Sequence, residues 1–190
     1  MDLQTLPGWA PDSVAGPFTA VVVPVREADT IVRQRLLQVH PTLLPRDHSL
    51  AARITLLAPF LPPDEVDAGV VAELARCFAA ITPFEFRLGE VCEFPGGPTY
   101  LAPEPPAPFR RLTQQLHRIF PEFPPYGGAF DEVVPHLTVP LAPGEDTTTL
   151  RETLQRTLPL HAHAVGAAVL QVAENDTHVI ASLPFGTTAA

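Results

Sequence analysis

Hydrophobic and polar positions change period repeatedly along the chain, and each change marks a predicted element. Residues 18–25, Phe-Thr-Ala-Val-Val-Val-Pro-Val, are rich in β-branched side chains and predict a central strand. Ile31, Val32, Leu36, Leu37 and Val39 then recur at helical spacing, so a helix is expected over 27–39. Glu27 and Asp29 suit its start, because carboxylates favour the positive end of the helix dipole. A loop with proline and histidine over 40–52 leads to a second predicted strand, 53–60. Pro62-Pro-Asp-Glu65 offers Asp64 as the N-cap of a helix that runs to about Ala80. Residues 84–91 alternate apolar and polar, the mark of a half-buried strand. Gly96-Gly97 turns the chain so that 99–102 pairs back as a hairpin. A helix follows over 106–120, with Phe109, Leu112, Leu116 and Ile119 facing inward, then a long loop over 121–134 and a strand over 135–140. A short helix over 146–158 precedes two closing strands, 165–173 and 177–183, joined by Glu174-Asn175-Asp176.

Helices and strands interleave, but hairpins are present as well. That order predicts an α+β fold with antiparallel or mixed sheets, and no parallel doubly wound sheet. Residues 1–16 read as a loose leader without the charge and apolar core of a signal peptide, and 17–186 as a single domain.

Composition narrows the function classes. Apolar residues at 46% and charged residues at 17% exclude wholesale disorder, and 24 prolines exclude a simple helical bundle. The net charge is -9 and every one of the twelve basic residues is arginine. Such a field repels polyanions, so duplex nucleic acid and anionic membranes are not expected partners, whereas a local arginine pocket for one small anion is compatible with it. No apolar run approaches the roughly 20 residues that span a bilayer. Cys77 and Cys92 form no CxxC, and no His/Cys cluster has zinc spacing, so neither metal nor cofactor is expected. A monomer in the reducing cytosol is the simplest expectation.

Two segments echo each other across the halves: Arg53-Ile-Thr-Leu56 and His136-Leu-Thr-Val139. Alternate residues of a strand share a face. Arg53 and Thr55 therefore point one way, as do His136 and Thr138, while Ile54, Leu56, Leu137 and Val139 point to the core. A polar pair on each of two strands is what a lined groove needs, and also what a plain solvent face looks like.

Longer segments carry more. Ile54-Thr-Leu-Leu-Ala-Pro-Phe-Leu-Pro-Pro-Asp-Glu65, Phe94-Pro-Gly-Gly-Pro-Thr-Tyr-Leu-Ala-Pro-Glu-Pro105 and Pro125-Tyr-Gly-Gly-Ala-Phe-Asp-Glu-Val-Val-Pro-His-Leu-Thr-Val139, in order, resemble the 2H phosphoesterase superfamily. This is the family of the 2′-5′ RNA ligase-like proteins and RNA 2′,3′-cyclic phosphodiesterases. The resemblance covers about residues 18–185. It implies two pseudo-symmetric lobes with outer helices around a central groove, and one H-x-[T/S]-x motif in each lobe. It further implies that the two motif histidines act as general base and general acid on a phosphodiester, that the hydroxyls hold phosphate oxygens, and that no metal takes part. On this resemblance His136, Thr138, Thr55 and Arg53 are the candidate catalytic residues.

The chain departs from the motif where the first histidine belongs, because it carries Arg53 there. A guanidinium stays protonated near neutral pH and cannot shuttle protons, but it binds anions through a bidentate fork. The expected activity is hydrolysis of a small phosphodiester or nucleotide 2′,3′-cyclic phosphate with one surviving histidine. The alternatives are an isomerase, cyclase or lyase step on a small metabolite, and a non-catalytic anion- or nucleotide-binding module. His40 and His48 are candidates to replace the missing histidine. Tyr126 and Phe130, which flank Gly127-Gly128 ahead of His136, are candidates to stack on a flat substrate. Arg110, Arg111 and the Asp131-Glu132 pair have a solvated reading beside a role at the site. The His161/His163 alternation fits an edge strand as well as a metal pair.

Overall fold

The run 18–25 is apolar on both faces because its strand, β1 (Phe18–Pro24), takes an inner position in a sheet and is buried almost throughout. The computed structural model describes residues 17–45, 50–130, 132–173 and 175–186. The leader 1–16, His48, Asp131 and Glu174 lie outside the described residues.

Two four-stranded sheets make up the frame. The first has the order β2-β1-β7-β8, with β2 at Arg53–Leu57, β7 at Gly166–Val172 and β8 at His178–Pro184. The second has the order β5-β4-β3-β6, with β3 at Phe84–Glu93, β4 at Thr99–Glu104, β5 at Leu137–Thr138 and β6 at Leu160–Ala164. Every adjacent pair is antiparallel. The expected α+β class holds, and of the two sheet types expected it is the antiparallel one. The two sheets correspond position by position: each places its motif strand, β2 or β5, at an edge beside an inner antiparallel strand. These edges, β2 and β5, lie against each other.

Among the described residues, four helices cover the frame: α1 (Asp29–Val39), α2 (Ala68–Ala79), α3 (Ala107–Ile119) and α4 (Thr147–Leu154). The inward residues of α2 and α3, among them Leu74, Phe78, Phe109 and Leu116, are fully buried. Each such side chain contributes about 1.5–3 kcal/mol by leaving water. Phe78 stacks on Phe185 at 5.7 Å and Phe109 meets Phe86 edge-on at 5.0 Å, so aromatic contacts join both helices to strand ends.

Local differences from the expected elements have local causes. Asp64 falls in a 3-10 turn, Pro63–Glu65, and the cap of α2 is Asp67, whose side chain accepts from the Val70 amide. The strand expected over 135–140 shrinks to two residues because Pro135 and Pro140 at its ends have no N–H to pair. The His161/His163 alternation belongs to β6, an edge strand paired with β3. Glu27 sits in a 3-10 turn ahead of α1. Asp29 opens α1, and its Oδ1 accepts from the Ala51 and Ala52 amides at 2.8 and 3.2 Å. That contact pins the approach to β2 beside the first turn of α1.

Candidate active site

Alternation along β2 buries Ile54 and Leu56 and leaves Arg53 and Thr55 half-buried on the other face. Around β5 it buries Leu137 and Val139 and leaves His136 and Thr138 half-buried. All four half-buried side chains line one cavity of about 260 Å³ between the sheets. Hairpin residues Gly97-Pro98-Thr99 form part of its rim. Thr99 is held there by its hydroxyl, which donates to the Val139 carbonyl.

His136 is fixed in both orientation and tautomer. Its Nδ1 lies 2.8 Å from the Val134 carbonyl oxygen. A carbonyl only accepts, so Nδ1 carries the proton and Nε2 of the neutral ring keeps its lone pair. Three aromatic rings hold the imidazole: Phe94 edge-on at 5.0 Å, Tyr100 edge-on at 5.7 Å and Tyr126 stacked at 6.0 Å. This burial holds its pKa below the usual histidine value, and the Val134 contact opposes the shift only in part. The ring is therefore neutral at neutral pH, as a general base requires.

Arg53 is set differently. Its Nη1 donates to the Leu50 carbonyl at 3.0 Å, and no carboxylate of the described residues lies within ion-pair distance of it. Burial lowers its pKa to about 10, with Asp29 opposing. It remains a cation at neutral pH. The two motif segments thus bring to the cavity one fixed positive charge, one proton acceptor and two hydroxyls, a set suited to an anion with a proton to be moved beside it.

The other sequence candidates fall elsewhere. Tyr126 is buried behind His136 with a left-handed backbone (φ 53°), and Phe130 is exposed and touches Tyr126 edge-on at 5.9 Å. Neither ring is in the cavity wall. Arg110 pairs with Glu132 at 3.0 Å, outside the wall. His163 pairs with Glu85 at 3.2 Å, and no group of three or more metal-ligating side chains occurs among the described residues. His40 does line the cavity, as do Val32, Leu36 and Val39 of α1. The periodicity of α1 marks those apolar residues as a core face, and nothing in it separates a core face from a cavity wall. The Phe94 and Tyr100 contacts with His136 carry no sequence signal of their own.

The Tyr126 hydroxyl is buried without a hydrogen-bond partner, and this burial raises its pKa far above the usual phenol value. A buried unpaired hydroxyl costs about 1–3 kcal/mol. Tyr126→Phe is therefore expected to raise stability in urea denaturation by about 1 kcal/mol while keeping the ring behind His136. A loss of that size instead would show that the hydroxyl has a partner.

Two antiparallel sheets whose neighbouring edges bring a cation and an imidazole to a single cavity define a two-lobed protein with a polar groove. The chain belongs to the 2′-5′ RNA ligase superfamily, whose family model matches residues 25–177. Solved structures share the fold. TT0787 of Thermus thermophilus is 19% identical, with a TM-score of 0.57 over 92% of this chain and 100% of that one. A structure described as a phosphoesterase is 16% identical, with a TM-score of 0.54 over 90% and 99% of the two chains. Escherichia coli LigT, solved with 3′-AMP, is 12% identical, with a TM-score of 0.53 over 90% and 99%. No curated protein matches the sequence. No helix among the described residues is long and apolar enough to cross a membrane.

Proposed function

We propose that the protein hydrolyses a small phosphodiester, cyclic or linear, with the surviving motif histidine, His136, as its proton-transfer group. The observation that carries this reading is the shared cavity of Arg53, Thr55, His136 and Thr138. Family membership and the binding of 3′-AMP by the related LigT support it. Thr55 and Thr138 hydroxyls donate to the non-bridging phosphate oxygens. Nε2 of His136 takes a proton as a water oxygen attacks phosphorus, and the bond from phosphorus to the ester oxygen breaks. That oxygen leaves as an anion stabilised by Arg53 and takes its proton from solvent, while His136 returns its own proton to solvent. A linear diester gives a phosphomonoester and an alcohol, and a cyclic one opens to a single phosphomonoester bearing a free hydroxyl, so atoms and charge balance. The reaction uses neither metal nor cofactor.

The test is turnover of 4-nitrophenyl phosphodiesters and nucleoside 2′,3′-cyclic monophosphates with and without a chelator. Wild type is expected to turn over at least one of them, indifferent to the chelator, and His136→Gln to lose at least about 10²-fold in kcat. Its rate is expected to rise with pH on one limb centred below 6.5, because only neutral His136 is a base and burial lowers its pKa. Turnover that ignores His136, or that the chelator stops, overturns the proposal.

A further inference from the structure

Arg53, Thr55, His136 and Thr138 occupy one end of the cavity, and the rest of the wall is mostly aliphatic, with His40, Thr99 and Thr177 as its further polar members. Two independent rulers give its length. On β1, Val22 pairs with Thr55 and Phe18 pairs with Val172, and both Thr55 and Val172 line the cavity. Four residues of strand separate these levels, about 13 Å. On α1, Val32 and His40 both line the cavity, and eight residues of helix separate them, about 12 Å. The two ends are also tied to different parts of the fold. The first turn of α1 is held beside Arg53 through Asp29, which accepts from Ala51 and Ala52. Beyond its last turn, the Thr42 carbonyl accepts from the Asn175 amide at the β7–β8 turn. His40 therefore sits at the end remote from Arg53, too far to replace the motif histidine.

Between those ends the wall includes Val32, Leu36, Val39 and Val172, with Leu43 near the far end and Thr177, whose hydroxyl donates to the Ala173 carbonyl at 3.0 Å. Among the described residues, no phenylalanine, tyrosine or tryptophan belongs to the wall. A nucleobase depends on stacking against such rings, an imidazole or a guanidinium plane, and of the described wall residues besides His136 only His40, at the far end, offers an imidazole. Here Phe94, Tyr100 and Tyr126 are committed to His136, and Arg53 is at the anion end. An extended hydrocarbon has no such need and gains by leaving water along an aliphatic wall.

We propose that the site selects phosphate esters carrying an unbranched aliphatic chain, held with the phosphate at Arg53 and the chain along α1. Carbon–carbon bonds near 1.5 Å in an extended zigzag fit about eight to ten carbons into this length. The inference rests on the anion site of the preceding section and narrows its substrate from phosphodiesters in general to aliphatic ones.

Calorimetric titration with ethyl, butyl and octyl phosphate, each below its micelle concentration, and with adenosine 2′,3′-cyclic monophosphate tests it. Burial of one methylene corresponds to about a fourfold gain in affinity. At least a tenfold gain is expected from butyl to octyl, with octyl phosphate tighter than the cyclic nucleotide. Leu43→Asn, remote from the anion end, is expected to erase most of the gain and leave ethyl phosphate unchanged. Vesicles of phosphatidic acid separate the two sources of such a chain: binding to free octyl phosphate without vesicle binding marks a soluble ester, and vesicle binding marks a membrane lipid. Equal affinity at every chain length, or a cyclic nucleotide that binds tighter than octyl phosphate, overturns the inference and leaves the anion site standing. Chain-dependent binding without turnover of 4-nitrophenyl octyl phosphate keeps the slot and removes the hydrolase reading.

Discussion

Arg53→His is expected to raise kcat for phosphodiesters with poor leaving groups by about 10²–10⁴-fold, the usual contribution of one positioned acid. On the proposed mechanism the groove has a base in His136, and no described residue opposite it gives up a proton near neutral pH. Arg53 stabilises the departing oxygen by charge alone. That is enough for 4-nitrophenolate, which needs no proton to leave, and poor for an alkoxide. The wild-type rate should therefore fall steeply as the leaving group becomes more basic. An imidazole at position 53 starts from the same half-buried face of β2. It supplies the missing proton and should flatten that dependence. The pH profile should change shape as well, from one rising limb set by His136 to a bell bounded by two imidazoles. KM should rise, because a permanent cation has gone. Equal slowing of good and poor leaving groups by Arg53→His would mean that the groove is not organised for in-line proton transfer.

How legible the groove was can be read from the same strand. The alternation Arg53-Ile54-Thr55-Leu56 assigns faces from spacing alone, because strand side chains have a period of two and burial enforces it. The same rule places His136 and Thr138 together. Their meeting across the groove is a tertiary fact. It entered the sequence reading only through the resemblance of three long segments to a known family. Edges were harder. Leu160-His-Ala-His-Ala164 alternates as clearly as any strand, but an edge strand with exposed histidines looks like a solvated segment until β3 pairs with it. Asp64 and Asp67 both suit a cap, and the prolines at 62 and 63 shift the helix start by committing the chain to a 3-10 turn first. Tyr126 was readable as a ring close to His136 and unreadable as lying behind it. The side of an imidazole on which a ring lies depends on loop backbone, here a left-handed residue that no hydrophobic pattern encodes.

Glu145→Gln is expected to cost about 3–5 kcal/mol of folding stability, the usual consequence of removing one partner of a buried ion pair. Arg35 of α1 reaches from the first lobe to the segment after β5 in the second. Its guanidinium grips both carboxylate oxygens of Glu145, and its Nη1 donates to the Pro140 carbonyl at 3.3 Å. Both side chains are only about a tenth exposed, at 11% and 10%. The Ala142 amide donates to the same carboxylate at 2.9 Å. A neutral amide in place of this carboxylate would leave the Arg35 guanidinium buried without its counter-charge. The hydrogen bond from Arg35 holds the Glu145 pKa below its usual value of 4.5, against the opposing effect of burial. A carboxyl depressed on folding stabilises the native state above its unfolded pKa and loses that contribution as pH falls through the folded value. The stability gap between wild type and Glu145→Gln in urea should therefore be full at pH 7 and shrink below pH 4.5. Replacing both partners, Arg35→Met with Glu145→Leu, should restore most of the loss, because matched hydrocarbon costs no charge burial. The pair also adjoins the site: Leu36, next to Arg35, and Pro140, whose carbonyl accepts from Arg35, both line the cavity, so its loss is expected to alter the groove. The double variant should accordingly fold well yet bind phosphate more weakly than wild type in calorimetry. Unaltered affinity there would reduce the clasp to a stabilising contact with no influence on the groove.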